Sequence, residues 1–369
     1  MPLHLTHLLN AFLLAIVLIL VLEKVATRIG LLDVPSARKV HGGHVPLVGG
    51  LAMFAAFVVT VLMLDPGLRP PWEFLAGIGL LVALGAVDDR YDVPAPTKLA
   101  AQILAAAIMI TPGNHVISDL GHLGGGGRID LGPLALPFTI LFVVGLVNAF
   151  NMLDGVDGLT GGAAACAFFW LALIAAITGQ DRLAVPLLVL LFATLGFLVF
   201  NLRHPWCRQA RVFMGDAGSM MMGACVAYFA ISVAGGSGGK IHIHALLWLV
   251  AIPALDTLSL IVRRMWDGRS PLSADREHLH HLLLTGGLPP GKVTAVILAL
   301  SAALGAVGAA GAFLGTPDML MAAGLLSPAA AHAYFVRRRT SRARGLVKLA
   351  TADAGQVAHA GVVATEQAA

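Results

Sequence analysis

Residues 134–159 read LALPFTILFVVGLVNAFNMLDGVDGL. From 134 to 150 the stretch is predominantly apolar, about the length a helix needs to cross roughly 30 Å of hydrocarbon. It then turns polar: Asn148, Asn151, Asp154 and Asp157 recur every third residue, and Gly155 and Gly158 interrupt them. A membrane-crossing helix that ends in oxygen-bearing side chains and helix-breaking glycines is the unit from which the rest of the chain can be read.

Apolar runs of the same kind recur at about 5–22, 47–64, 72–87, 98–112, 161–178, 183–200, 213–233, 244–262, 293–315 and 318–336. The chain of 369 residues is 58% hydrophobic and 12% charged, with a mean hydropathy of +0.85, which excludes a soluble domain with a solvated surface. The expected fold is therefore all-α: a polytopic membrane helical bundle of about 11 transmembrane helices, covering residues 1–336. Dense Gly and Ala favour close helix approach in lipid, and no alternating segments suggest a barrel. Residues 337–369 form a basic and then polar tail, expected to meet anionic lipid or to be disordered.

Of the 24 Lys and Arg residues, twenty fall on one set of alternate loops and four, Arg69, Arg128, Arg182 and Lys240, on the other. The positive-inside rule then puts the N-terminus outside and the C-terminus in the cytoplasm. The first apolar run lacks a basic leader and a small-residue cleavage site, and reads as a retained helix. Cys166, Cys207 and Cys225 have no metal-ligand spacing and imply neither disulfides nor zinc. The Gly-rich loops on the side of the four basic residues read as spacers.

With this topology Asp88, Asp89, Asp154, Asp157 and Asp216 all lie at cytoplasmic helix ends. In VDDRYD (87–92), Asp88 and Asp92 would share a helix face, and such close carboxylates call for a cation or a raised pKa; a solvated terminus paired with Arg90 is the plainer alternative. The Asn/Asp series at 148–157 offers oxygen ligands that suit a hard cation such as Mg²⁺, or else a polar helix cap. It lacks the ligand pattern of a Ca²⁺ loop. In FMGDAGS (213–219), Asp216 opens a long apolar helix, where it serves an anion site or acts simply as an N-cap.

DREHLHHLLL (275–284) carries Arg276, His278, His280 and His281. Histidines so spaced are a weak zinc signal; near a phosphate site they suit anionic oxygens or proton transfer, and elsewhere they form a surface patch. Asp256 lies deep in its helix, where a carboxylate is functional or is held by a structural hydrogen bond. Together these clusters suggest a Mg²⁺-dependent phosphoryl reaction at the cytoplasmic face, with a lipid as one substrate.

The chain resembles the polyprenyl-phosphate N-acetylhexosamine-1-phosphate transferases (glycosyltransferase family 4) over roughly residues 5–335. The resemblance is carried, in order, by DVPSARKVHGGHVPLVGG (33–50), VDDRYDVPAPTKLAAQ (87–102), NAFNMLDGVDGL (148–159), FMGDAGS (213–219), PALDTLSLIVRR (253–264) and SPLSADREHLHHLL (270–283). The HLHH form and the DVPSARKVH stretch are similar to the WecA/TagO-type undecaprenyl-phosphate GlcNAc-1-phosphate transferase branch. Leu279 interrupts the run of three histidines of the branch that makes the first peptidoglycan lipid intermediate, and Thr285 stands where several members of the present branch have a basic residue.

The resemblance implies transfer of a sugar-1-phosphate from a UDP-N-acetylhexosamine, UDP-GlcNAc first among them, to undecaprenyl phosphate, with release of UMP. Another UDP-HexNAc or UDP-MurNAc-pentapeptide is the alternative donor. It further implies Mg²⁺, or Mn²⁺ in its place, on Asn151 and Asp216, and Asp88, Asp89 and Asp216 as catalytic residues, Asp88 as the base toward the lipid phosphate with Asp89 in support. Lys98, Asn148, Asp154, Asp157, Arg276, His278, His280 and His281 would bind substrate. A bacterial inner-membrane location, membrane-lipid contacts and a homodimer fit the same family, and no nucleic acid is expected among the partners. An ion-coupled transporter and an inactive scaffold are readings of other classes; the first would place its charges near the midplane.

Overall fold

The computed structural model describes residues 2–33, 44–124, 127–236, 241–270 and 277–340. It is a helical bundle: α1 (Pro2–Ile29), α2 (Gly49–Leu62), α3 (Trp72–Tyr91), α4 (Ala95–Ile110), α5 (Ala135–Leu153), α6 (Leu159–Ile177), α7 (Asp181–Asn201) and α8 (Gly215–Gly236). After them come α9 (Ile243–Leu247), α10 (Ala251–Trp266), the short α11 (Leu279–Thr285), α12 (Pro290–Phe313) and α13 (Asp318–Gly324), the last continuing as one helical span to Thr340. A 3₁₀ turn at Trp248–Val250 joins α9 to α10, so Ile243–Trp266 forms one interrupted span.

Among the described residues eight helical spans, one of them α9 with α10, are long and apolar enough to cross a membrane. The shorter apolar α2 and α4, and α3 with its acidic end, occupy the remaining stretches where the sequence suggests crossings. The first helix runs several residues beyond the expected 5–22 at both ends, and the last continues through Arg337, Arg338 and Arg339.

The centre of the bundle is α8. Of its apolar stretch 94% is buried inside the protein, against 17% for α1 and 17% for the last helix, which face outward. A helix apolar all round must be surrounded, and α8 packs on α2, α3, α5 and α6. Small residues allow the approach: a Cβ on Gly85 of α3 would run into the Ala217 backbone, and one on Gly50 into Gly218. At the other end of α8, Phe74 packs on Tyr228 and Phe229 with ring centroids 4.5 and 5.2 Å apart, fixing α3 to α8 along its length.

Two short strands, β1 (Leu32–Asp33) and β2 (Val45–Pro46), pair antiparallel ahead of α2. The Phe213 N–H donates to Pro46 O, and Gly49 and Gly50 N–H donate to the carbonyls of Phe213 and Met214, each at 2.9 Å. The DVPSARKVHGGHVPLVGG and FMGDAGS motifs are thus joined through their backbones, although residues 34–43 of the first lie outside the described residues. Cys166, Cys207 and Cys225 are free thiols.

Candidate active site

The ends of α3 and α5 and the starts of α4 and α8 meet at one end of the bundle, and most of the acidic motifs meet with them. Asp88, buried at the end of α3, accepts from Lys98 Nζ at 2.6 Å and from the Val93 N–H at 2.7 Å. Its carboxylate lies within hydrogen-bond reach of Asp216. Asn151 Nδ2 donates to Asp216 Oδ1 at 2.9 Å and to Ser219 Oγ at 3.0 Å. Asp88, Lys98, Asn151 and Asp216 therefore form one hydrogen-bonded cluster drawn from four helices.

Asp89 completes it in a way the sequence did not announce. Its Oδ1 accepts the Asp216 N–H at 2.8 Å, and its Oδ2 the Ala217 N–H at 3.4 Å. The N-cap of α8 is therefore a carboxylate from another helix, while Asp216 sits inside the first turn with its side chain turned to Asn151 and Asp88. Gly215, at φ +70, is required here, because a Cβ would collide with the Asp89 carboxylate. Asp92 does not share a face with Asp88: it ends α3 in the left-handed region at φ 52 and is exposed.

The polar series after residue 148 divides. Asn148 Nδ2 donates to Gln102 Oε1 of α4 at 2.7 Å and to Val144 O at 2.8 Å. Asn151 turns to α8, and Asp154 is the exposed C-cap just after α5. Asp157 accepts from Arg203 Nε at 2.7 Å and from the Ala210 N–H at 3.2 Å, so it holds the loop after α7. Asn201, which escaped the sequence reading, accepts the Gly158 N–H at 2.8 Å and donates to Val212 O. Gln102 and Ser219 belong to quoted motifs but were assigned no role.

The histidines form a second group. His278 Nδ1 lies 3.0 Å from Asp256 Oδ2 and its ring is stacked on His280, with centroids 5.6 Å apart and planes 8° from parallel. His281 lies 4.2 Å from His280. His280 is 1% exposed and neither ring nitrogen has a protein partner. Burial, with His281 and His278 adding to it, pushes the His280 ring down to about 3, so it is neutral near pH 7. Its ring rests against Gly155, where a side chain would collide with Nε2, and this contact brings the histidine group to the loop between α5 and α6. Arg263 holds Glu277 through Oε2 and the carbonyl, each at 2.9 Å. Arg276 lies outside the described residues.

Among the described residues no group of three or more His, Cys, Asp and Glu side chains is arranged to hold a metal. The acidic cluster nonetheless fits a hard cation of the Mg²⁺ type, which is commonly held by one or two carboxylates and completed by water and substrate phosphates. Two carboxylates within hydrogen-bond reach, with an amide beside them, supply that oxygen-rich set and leave their mutual repulsion to be relieved by a cation or a proton.

Residues 72–234 match the model of glycosyl transferase family 4. A relative from Escherichia coli O157:H7 is 35% identical over 303 residues, 82% of each chain. One from Yersinia pestis is 33% identical over 92% of this chain and 93% of its own, and one from Haemophilus influenzae 33% identical over 91% and 98%. All three bear the name undecaprenyl-phosphate alpha-N-acetylglucosaminyl 1-phosphate transferase.

Proposed function

This chain belongs to glycosyl transferase family 4 and is an enzyme of the phosphoglycosyltransferase type; on that premise we propose that it transfers N-acetylglucosamine-1-phosphate from UDP-GlcNAc to undecaprenyl phosphate in a Mg²⁺-dependent reaction. A phosphate oxygen of the lipid forms a bond to the sugar-bearing phosphorus of the donor. The bond from that phosphorus to the bridging oxygen breaks, and UMP leaves with the electron pair.

The observation that carries this reading is the convergence of Asp88, Lys98, Asn151 and Asp216 from four helices at one end of the bundle. Lys98, 2.6 Å from Asp88, can exchange part of that pairing for an incoming phosphate while Asp88 orients the attacking oxygen. A phosphate monoester, with its second pKa near 6, arrives mostly as the dianion, so positioning outweighs deprotonation. Asn151 and Asp216 would hold Mg²⁺. When bound, it would neutralise charge on the phosphates. Asp154, His278, His280, His281 and Arg276 would take the nucleotide sugar. Asp157, engaged with Arg203, would shape the loop beneath it. The site would face the cytoplasm of a bacterial inner membrane, where UDP-sugars are made.

Membranes carrying the protein, supplied with labelled UDP-GlcNAc and undecaprenyl phosphate, test the proposal. Label should enter the lipid phase with Mg²⁺ and not with chelator, and Asp88→Asn or Asp216→Asn should cut transfer by about 10²-fold or more. Transfer unaffected by chelation, or intact in both variants, would contradict it. A transporter is set aside, because the relatives spanning most of the chain are transferases.

A further inference from the structure

Asp256 is 2% exposed within α10, and among the described residues its carboxylate meets two histidine rings and a backbone N–H. Oδ2 faces His278 Nδ1 at 3.0 Å; Oδ1 accepts the Leu279 N–H at 2.9 Å and faces His332 Nε2 at 3.2 Å. His332 belongs to the last membrane-length helix, far along the chain from every motif quoted above, and is itself buried. A carboxylate only accepts, so the proton of His278 stands on Nδ1 and that of His332 on Nε2. Nε2 of His278 is thereby left as the nitrogen that can meet a ligand.

We infer that Asp256 and His332 are positioning residues for His278, holding its ring in one tautomer and one orientation toward the diphosphate of the nucleotide-sugar donor. His332 and the Leu279 N–H occupy one carboxylate oxygen and so fix the rotation of the group, which leaves the other oxygen aimed at His278. The same arrangement, a histidine oriented by a carboxylate on its far nitrogen, serves metal sites and hydrolytic triads. Because Leu279 opens α11, the carboxylate also ties the start of that helix, and with it the stack of His278 on His280, to α10. The last helix thus acts on the site through Asp256.

This inference rests on the transferase reading, and the two fail separately. If the unaltered protein transfers no sugar phosphate, the transferase reading falls; if it does, the variants decide the inference. His332→Leu should raise the KM for UDP-GlcNAc about ten-fold or more, the size seen for loss of such orienting partners. The KM for undecaprenyl phosphate should stay unchanged. His332→Gln, which keeps a donor, should restore most of the loss. A purely structural role would lower the folded fraction and the melting temperature without separating the two KM values. In the His278→Ala background, His332→Leu should cost no further activity. Equal costs in both backgrounds, or an unaltered donor KM in folded His332→Leu, would overturn the inference.

Discussion

The carboxylates of Asp88 and Asp216 stand together, with Lys98, Asn151 and the Val93 N–H offsetting their charge. Asp89, one residue along, has a separable structural duty as the cap of α8. Asp89→Ala should lower thermal stability by about 1 kcal/mol, whereas Asp89→Asn should not, since Asn caps as well as Asp. Equal melting of Asp89→Ala and the unaltered protein would remove the capping role. His280 gives a pH dependence whose sign is fixed. Its folded value of about 3 lies below the ordinary 6.5, so between these values the unfolded chain binds a proton that the folded one refuses. Stability should therefore fall as pH drops below about 6.5, by at most about 1.4 kcal/mol per pH unit. Melting curves between pH 7 and 5 should show this slope and its flattening in His280→Gln; the same slope in both would assign it to other groups.

The interhelical spacing depends on what is missing from the side chains. Where α3 crosses α8, Gly85 meets the Ala217 backbone directly, and Asp88, Asp89 and Asp216 lie within a turn of that contact. Gly85→Leu should destabilise by roughly 1–3 kcal/mol through overpacking. By shifting the acidic residues about 1 Å relative to each other it should also cost about 10²-fold in transfer. Gly79→Ala, on the same helix, would meet only Phe54 at an ordinary 3.5 Å and should leave both melting and transfer unchanged. A Gly85→Leu protein with normal turnover would show that the crossing does not set the site. Close crossings of this kind also explain why the Asn/Asp periodicity at 148–157 does not make one stripe. The helix ends at Leu153, and its neighbours α4 and α8 draw Asn148 and Asn151 apart.

Across the whole molecule, the site end also carries Trp206 and Trp266, 92% and 84% exposed, while Asn114 lies at the opposite end. The loop charges predict that the site end is cytoplasmic. With Cys166, Cys207 and Cys225 replaced, Asn114→Cys should react with a membrane-impermeant maleimide in intact spheroplasts. Trp206→Cys should react only after lysis, and the reverse pattern would invert the topology.

Composition and apolar run length alone were enough to specify a membrane helical bundle, because hydrocarbon tolerates few backbone solutions and each leaves a plain trace in the sequence. The acidic motifs were legible for a related reason: carboxylates beside apolar runs are costly, and an unusual cost marks a use. What the sequence could not assign were partners. Asp89 capping a distant helix, Asp157 holding Arg203, and His332 reaching Asp256 from the last helix all depend on side chains far apart in the chain meeting at a few ångströms. Such meetings follow from which helices cross, and crossings are decided by small residues and close packing, not by periodicity along any one helix. The sequence determined the fold class and most of the polar residues of the site; only the tertiary structure decided which of them touch.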